Sequence, residues 1–551
     1  MLKKTAVQIC VVALLLVVVN WGLSDYYLRF DVTKDKRYTL SDTTKETLEN
    51  VNSPLYIDVL LQGDFPNQFK KLQYELQQLL EQYENENDNI IFSFTNPLEG
   101  EENPDEVVNY LTSLGMLPTN IPVSENGKKS VTQIFPWAVA NYGQKTVRVP
   151  LLINNLGSDG EENINKSVQQ LEYNLTDAIT KLTLENKKKI AIFKGNGELK
   201  DKYMSDYLLN LKDYYRLGLF NLDSLKDQPN QILKNLQQFD AAIIAKPTEA
   251  FTDVEKQIID QYIMYGGKTL WCIDKVAVDL DSLQNETQST VAFPRQLNLD
   301  DLLFKYGVRI NYNLIEDLIS TPITVQGPNG NMPLEWLFSP ITMSPENHPI
   351  NKNINVVKLE FANQIDTLEN GIKKTVLLES SPQSRVVGAP IEIHLNEFSG
   401  NLQPEKFTNG SQIAGVLLEG SFTSVYKNRV KPVELPNNLN ESADNKMIII
   451  SDGDVINYSY ANKKPLTNGI DPWTQQIYGN KDFLINCMNY LLDDTGLINI
   501  RGKEIKLAFL NHEKIEEDEI SIKLINIGVP IVLLIIFGVL FVFLRKRKYS
   551  K

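Results

Sequence analysis

The residues of this chain that could do chemistry are few, and each has a structural role competing with the chemical one. Gly195-Asn196-Gly197-Glu198 follows the apolar run Ile190–Phe193 and precedes a helical stretch from Asp201. Doubly wound folds hold ligands at such a place, at a strand's carboxyl edge before a helix, but the third glycine of a dinucleotide fingerprint is missing. The four residues are ligand-binding candidates, with a tight turn as the alternative. Asp452-Gly453-Asp454 follows a second buried run, Lys446–Ser451, and offers two carboxylates to a cation or polar ligand. No further acid flanks them, so a turn competes here too and no metal site is expected. Gly266-Gly267-Lys268-Thr269 invites a phosphate-loop reading, yet Tyr262 stands where the first glycine belongs. Its order is also helix, turn, strand, the reverse of what that motif needs, so its glycines are expected to end a helix.

The remaining reactive types are scattered. The three cysteines are Cys10, Cys272 and Cys487, and the latter two could form a bridge or serve as small buried hydrophobes. No two of His348, His394 and His512 are near in sequence, and no metal-ligand spacing occurs. There is no Gly-x-Ser-x-Gly elbow. No catalytic residue and no cofactor is assigned, and the chain is not expected to be an enzyme.

The elements that would position these residues are legible from periodicity and punctuation. Ser41 should cap a helix through Leu48, followed by a strand at Leu55–Leu61. Pro66 opens a helix with Phe69, Leu72, Leu76, Leu79, Leu80 and Tyr83 on one face. A strand at Ile90–Phe94, a helix near Pro104–Leu114, a hairpin of Ser130–Asn141 with Lys145–Leu152, and a helix at Ile164–Leu182 follow. This β-α-β-α-β-β-α order is that of a thioredoxin-like unit, spanning residues 24–186. Gln62-Gly63-Asp64-Phe65-Pro66-Asn67 stands where the redox version carries its thiols, so thiol exchange is excluded.

Lys187-Lys188-Lys189 marks a boundary, after which strands alternate with helices: Ile190–Phe193, Ala241–Ala245 and Thr269–Ile273 with helices at Asp201–Tyr214, Asp253–Tyr265 and Leu299–Tyr306. That alternation predicts a doubly wound parallel sheet over 187–510. The strand ending at Ser451 and the helix Lys481–Leu492 should return to it, leaving about 312–436 as a β-rich insertion. The expected class is therefore α/β.

Apolar spans stand at both ends, Ala6–Leu23 and Ile527–Leu544. Each is about 18 residues, just enough to cross a bilayer core. Lys3 and Lys4 precede the first, and Arg545, Lys546, Arg547 and Lys548 follow the second. Basic flanks resist translocation, so both termini (residues 1–23 with the anchor, and the tail 545–551) are expected in the cytoplasm and the bulk in the periplasm. An uncleaved anchor is expected at the start, since no small-x-small site follows it. Residues 511–526 read as an acidic stalk before the span 527–544, with Pro530 in the helix's first turn. A formal charge of −14 argues against nucleic acid as partner.

Several stretches together resemble the GldG family, accessory components of an ABC-type transport system tied to gliding motility in Bacteroidetes. They are Arg29-Phe30-Asp31-Val32-Thr33 through Tyr38-Thr39-Leu40-Ser41 after the anchor, Phe251-Thr252-Asp253-Val254-Glu255-Lys256 through Tyr265-Gly266-Gly267-Lys268, Ile449-Ile450-Ser451-Asp452-Gly453-Asp454, and Gly479-Asn480-Lys481-Asp482-Phe483. The resemblance runs end to end. It implies an inner-membrane protein, often called substrate-binding, that works with a separate polytopic permease and a cytoplasmic ATPase, its folded region binding a substrate or an envelope partner. It brings no assigned site residues. The central α/β unit is also similar to glutamine-amidotransferase-like sheets, but the nucleophilic cysteine of those enzymes has no counterpart, because Cys272 ends a strand without an elbow. A free-standing envelope receptor or tether, and a hydrolase of amidotransferase-like ancestry, are the competing functions.

Overall fold

A computed structural model describes residues 39–63, 65–125, 128–225, 228–327, 330–345, 347–395, 403–458, 460–461, 464–472, 474, 476–502 and 519–549, with 12, 14 and 15. The first apolar span, Lys3, Lys4 and His512 lie outside these residues, apart from Val12, Leu14 and Leu15, which are helical. The chain divides into two units, Met1–Glu504 and Ile505–Lys551.

The first block begins with α1 (Asp42–Glu49), where the Ser41 hydroxyl accepts the Thr44 N–H at 3.2 Å as an N-cap. Then come β1 (Leu55–Val59), α2 (Asn67–Glu86), β2 (Ile90–Phe94) and α3 (Pro104–Ser113). Two hairpins follow, β3 (Thr119–Glu125) with β4 (Lys128–Ile134), and β5 (Trp137–Tyr142) with β6 (Lys145–Pro150), before α4 (Gly160–Thr183). The four-stranded sheet runs β2-β1-β5-β6, with β1 parallel to β2 and antiparallel to β5. The expected single strand Ser130–Asn141 is thus two strands from separate hairpins. Pro136 lies at the break, where a residue without an N–H cannot continue a ladder.

α2 buries Leu72, Leu76, Leu80 and Tyr83 at helical spacing, and α4 buries Leu171, Leu175 and Ile179. A polar knot ties the three helices together. Glu172 accepts the Ser41 N–H (2.7 Å) and the Thr44 hydroxyl (2.9 Å), while the Tyr83 hydroxyl meets Thr176 Oγ1 at 2.7 Å and donates to the Glu172 carbonyl at 3.1 Å. All four side chains are buried, so their hydrogen bonds specify one seating of α1.

The second block contains β7 (Lys189–Lys194), α5 (Ser205–Tyr214), β8 (Arg216–Asn221), α6 (Pro229–Leu236), β9 (Ala241–Ala245), α7 (Asp253–Met264), β10 (Lys268–Cys272) and α8 (Asp300–Tyr306). Further on come β11 (Lys373–Glu379), β12 (Ile413–Thr423), β13 (Glu441–Ile450) and α9 (Asn480–Leu492). A seven-stranded sheet runs β11-β12-β13-β10-β9-β7-β8. From β13 to β8 the strands are parallel, while β12 is antiparallel to both its neighbours. Alternate residues of each strand enter opposite cores. Ala242, Ile244, Trp271 and Ile449 meet α6, α7 and α8, and Ile243, Leu270, Cys272 and Ile448 meet α5 and α9. Burial on both faces explains the uninterrupted apolar runs.

Two features depart from expectation. The stretch 312–436 does not stand apart from this sheet, because β11 and β12 come from it and extend the sheet antiparallel to β13. The rest packs a third core around Leu314, Trp336, Phe338, Phe361 and Ile393. Second, β8 is an added parallel edge strand, with Leu219 left exposed.

In the second unit α10 runs Glu519–Tyr549, with an apolar section of 26 residues, Lys523–Lys548, ending on Lys546, Arg547 and Lys548. At 1.5 Å per residue the section measures about 39 Å, enough to cross a hydrocarbon core of about 30 Å. The last residues of the expected stalk, from Glu519, are already helical. Pro530 therefore lies inside the helix rather than in its first turn, and leaves the Asn526 carbonyl without its usual N–H.

Candidate functional site

The carboxyl ends of β7, β9, β10 and β13 form one edge of the parallel sheet, and both candidate loops lie along it. The first crossover takes the chain from β7 to β8, and the next carries it back across β7 to β9, so the strand order reverses between β7 and β9. Such a reversal opens a crevice in many α/β sheets. Here the crevice is stitched shut. The N–H groups of Thr248 and Glu249 both donate to the Asn196 carbonyl at 2.9 Å, and the Thr248 hydroxyl donates to the Gly197 carbonyl at 3.0 Å.

Within that loop Glu198 Oε2 accepts the Asn196 N–H (2.8 Å), and Asn196 Nδ2 donates to Glu255 Oε2 (3.3 Å). Burial pushes the Glu198 carboxyl above its ordinary pKa. Gly195 and Gly197 have φ of 122° and 70°, and a Cβ on Gly197 would stand 2.1 Å from Thr248 Oγ1. The four residues therefore form a tight, internally bonded turn. Glu255 also closes a capping box with Thr252 at the start of α7.

Asp452 and Asp454 follow β13, and β10 and β9 separate that strand from β7, so the two candidate loops do not meet. The segment after β9 reaches both: Thr248 and Glu249 hold one loop, and Lys246 holds the other. Lys246 Nζ lies 2.6 Å from Asp454, 3.2 Å from Asp279 and 3.7 Å from Asp274. Burial alone would lower the pKa of this ammonium, but Asp454 and Asp274 outweigh it and hold it well above the usual range. Gly453 is needed at the centre, since a Cβ there would stand 2.5 Å from Lys246 Cγ.

The carboxylates are shaped by the same crowding. Asp452 is fully buried, its two oxygens accepting the N–H groups of Glu360 (2.7 Å) and Asp454 (2.6 Å). Burial, then Asp454 and Asp274, push its carboxyl well up. Asp274 accepts the Gly453 N–H and is raised to about 6, by burial first and Asp454 second, against the pull of Lys246. Burial also raises half-buried Glu360 to about 7.

These groups border a cavity of about 110 Å³, lined by Glu360, Asp452, Asp454, Asp471, Asn457 and Asn480. At about 30 Å³ of liquid volume per molecule it has room for a few waters or a small cationic group. Among the described residues no cluster of three or more His, Cys, Asp and Glu is arranged to hold a metal. The Lys246 ammonium fills the place a cation would take among Asp274, Asp279 and Asp454.

Lys246, Asp274 and Glu360 were not singled out from sequence. The signal for the first two was present: each is the first charged residue after an apolar strand, at Ala241–Ala245 and Leu270–Ile273. Glu360 comes from a distant turn and carried none. Cys272 and Cys487 are free and fully buried, and burial pushes both thiols far above their ordinary pKa. They are core residues, and a thiol so raised is a poor nucleophile. His348 packs its ring edge-on against Tyr490 at 4.7 Å, and burial lowers it to about 4.

An uncharacterized protein of Borreliella burgdorferi is 23% identical over 544 residues, covering 96% of this chain and 95% of that one. The mmIFT52 N-terminal domain superposes with a TM-score of 0.32 at 10% identity, covering 56% of this chain and 98% of that one. Residues 34–141 match a domain of unknown function. Residues 187–487, which include the whole parallel sheet and most of α9, match the family described as an ABC-type uncharacterized transport system. That match covers more than half of the 551 residues, so the chain belongs to this family of auxiliary components of ABC-type transport systems.

Proposed function

We propose that this chain is a membrane-anchored accessory subunit of an ABC-type transporter and does no chemistry itself. In this reading α10 and the N-terminal span lie beside a polytopic permease, and a cytoplasmic ATPase supplies the energy. The folded blocks stand in the periplasm, with Lys3, Lys4 and Arg545–Lys548 on the cytoplasmic side. The single observation that carries the reading is the family match over 187–487 on a chain that also holds the long apolar helix Lys523–Lys548. The hydrogen bonds that hold the Gly195–Glu198 turn and the ion pairs that hold Lys246 give these residues structural work, which supports a binding or coupling role.

Finer assignments belong to the same proposal. The first block is a thioredoxin-like unit without thiols, supported by its strand order β2-β1-β5-β6. The second is a doubly wound, amidotransferase-like sheet that has lost its nucleophile. The GldG-like stretches support a role in gliding motility in Bacteroidetes. Anchorage at both ends would hold the periplasmic blocks near the permease at high effective concentration.

A tag at Lys551 and purification in mild detergent test the proposal. A permease and an ATPase co-eluting with the chain are the expected result. Recovery of the chain alone, or with an outer-envelope protein, would replace the subunit by a free-standing receptor or tether.

A further inference from the structure

A second concavity, at the junction of the two α/β blocks, has the opposite character to the acidic sheet edge. A cleft of about 710 Å³ opens between the β5–β6 hairpin and α4 on one side and α5 and α9 on the other. Its volume is that of a small-molecule site. Lys145, Arg148, Lys181, Lys187, Lys481 and Arg501 line it, against only Asp177, Asp213 and Asp482. This excess of positive charge stands out in a chain whose formal charge is −14.

The manner in which these cations are held matters more than their number. Lys145 Nζ donates to the Leu182 carbonyl at 2.9 Å, in the last turn of α4. Lys187 Nζ donates to the Lys212 and Asp213 carbonyls at 2.7 and 2.6 Å, in the last turn of α5. Both ammoniums are thus fixed by the free carbonyls of helix ends, which orient them without neutralising them. Burial lowers the pKa of Lys187, and crowding by Lys145 and Arg216 adds to this against the pull of Asp213.

Arg501 is the second, independent observation. Its side chain is only 6% exposed, and its guanidinium lies 4.7 Å over the Tyr173 ring. Nη2 donates to the Lys352 carbonyl at 2.8 Å, but Nε is buried without an acceptor. A buried guanidinium N–H left unpaired is costly, and because Arg501 lines the cleft, a turn of its side chain toward an oxyanion seated there would satisfy it. Asp177 Oδ2 is used by Lys181 (3.1 Å) and by the Tyr214 hydroxyl (2.9 Å), while its Oδ1 is buried without a donor.

We propose that this cleft binds a phosphate-bearing organic anion, its phosphate held by Lys145, Lys187 and Arg501. Phosphate fits because it carries up to two charges on one compact group, and guanidinium and ammonium donors together match its oxygens. The same chemistry is offered by a soluble phosphate ester and by an anionic lipid headgroup. The inference goes beyond the transporter reading and can fail or succeed without it.

The test uses the full chain in neutral detergent, titrated calorimetrically with inorganic pyrophosphate and, separately, with phosphatidylglycerol in mixed micelles. Saturable binding of either probe, weakened by salt and about tenfold or more weaker in Lys145→Gln/Lys187→Gln, is expected. Pyrophosphate bound without competition from phosphatidylglycerol points to a soluble ester, and competition or lipid binding alone points to a headgroup. Arg501→Lys is a second variant, expected to weaken binding through loss of the planar fork. Circular dichroism melts confirm that each variant is folded. No binding of either probe, or equal binding by folded Lys145→Gln/Lys187→Gln, overturns the proposal.

Discussion

The acidic edge of the parallel sheet and the basic cleft between the blocks are both built from charged side chains, but they compensate charge in different ways. At the sheet edge one buried ammonium, Lys246, serves Asp274, Asp279 and Asp454, while Asp452 is satisfied by two backbone N–H groups. These charges are spent mainly on holding β9, β10 and β13 at their ends, although Arg295 Nη1, 3.8 Å from Asp274, and Asn457 Oδ1 are buried there without a hydrogen-bond partner. At the cleft, Lys145 and Lys187 lean on carbonyl dipoles and Arg501 keeps a buried N–H without an acceptor. There the charge remains available to a ligand. Buried unpaired atoms occur at both places, so it is the excess of cations over carboxylates, held by carbonyls instead of acids, that marks the cleft for an anion.

The sharpest way to break this contrast is Lys246→Met. Without the ammonium, Asp454 and Asp274 face each other at a buried strand end. Removing one partner of a buried ionic network costs about 3–5 kcal/mol. Thermal melts of the full chain in detergent should show a large drop for this variant, and a wild-type melt would remove Lys246 from the centre of the edge. Gly197→Ala should cost less, about 1–3 kcal/mol for the forced left-handed backbone. The clash with Thr248 Oγ1 adds to it, because φ is 70° and the new Cβ would lie 2.1 Å away. A near-neutral result would mean that the crevice between β7 and β9 is looser than its hydrogen bonds imply.

The elements that build the edge were readable because their signals are local. Ala241–Ala245 is apolar at every position, as a strand covered on both faces must be, and Ser41 and Thr252 cap their helices through their own side chains. What could not be read is what depends on distant pairing. β11 and β12 carry ordinary strand patterns, and nothing in them says that they join β13 rather than a separate insertion. β8 mixes Arg216, Gly218 and Asn221 with apolar residues because it is an edge, and the even alternation that marks a strand is lost. The same limit explains the site. Asp452 and Asp454 were found as a local pair, but Lys246 and Glu360 reach them only through the fold. The basic cleft gathers residues from Lys145 to Arg501 and has no sequence motif at all.

A smaller effect probes the edge through pH. Glu360 is raised from 4.5 to about 7, so the folded chain holds this proton more tightly than the unfolded chain does. The sign follows from linkage: the contribution is fully present below the unfolded value and is lost as pH rises through about 7. Glu360→Gln should flatten that part of the stability profile and gain on wild type at the alkaline end. An unchanged profile would show that the cavity at Asp454 and Asp471 solvates the carboxylate well.

The smallest expected change is the one that tests the cleft side of the comparison. Lys187 is held by two carbonyls, crowded by Lys145 and Arg216, and lowered in pKa mainly by burial. Lys187→Gln removes an unfavourably placed charge and keeps an amide donor that can reach the carbonyls of Lys212 or Asp213. Gain and loss should nearly cancel, leaving stability within about 0.5 kcal/mol of wild type. That outcome, set beside a large loss for Lys246→Met, is what a recognition cleft and a structural network should show under the same melt. If Lys187→Gln instead costs as much as Lys246→Met, the cleft's cations are also holding the two blocks together. The uncompensated charge would then be structural, and the contrast between the two regions would collapse.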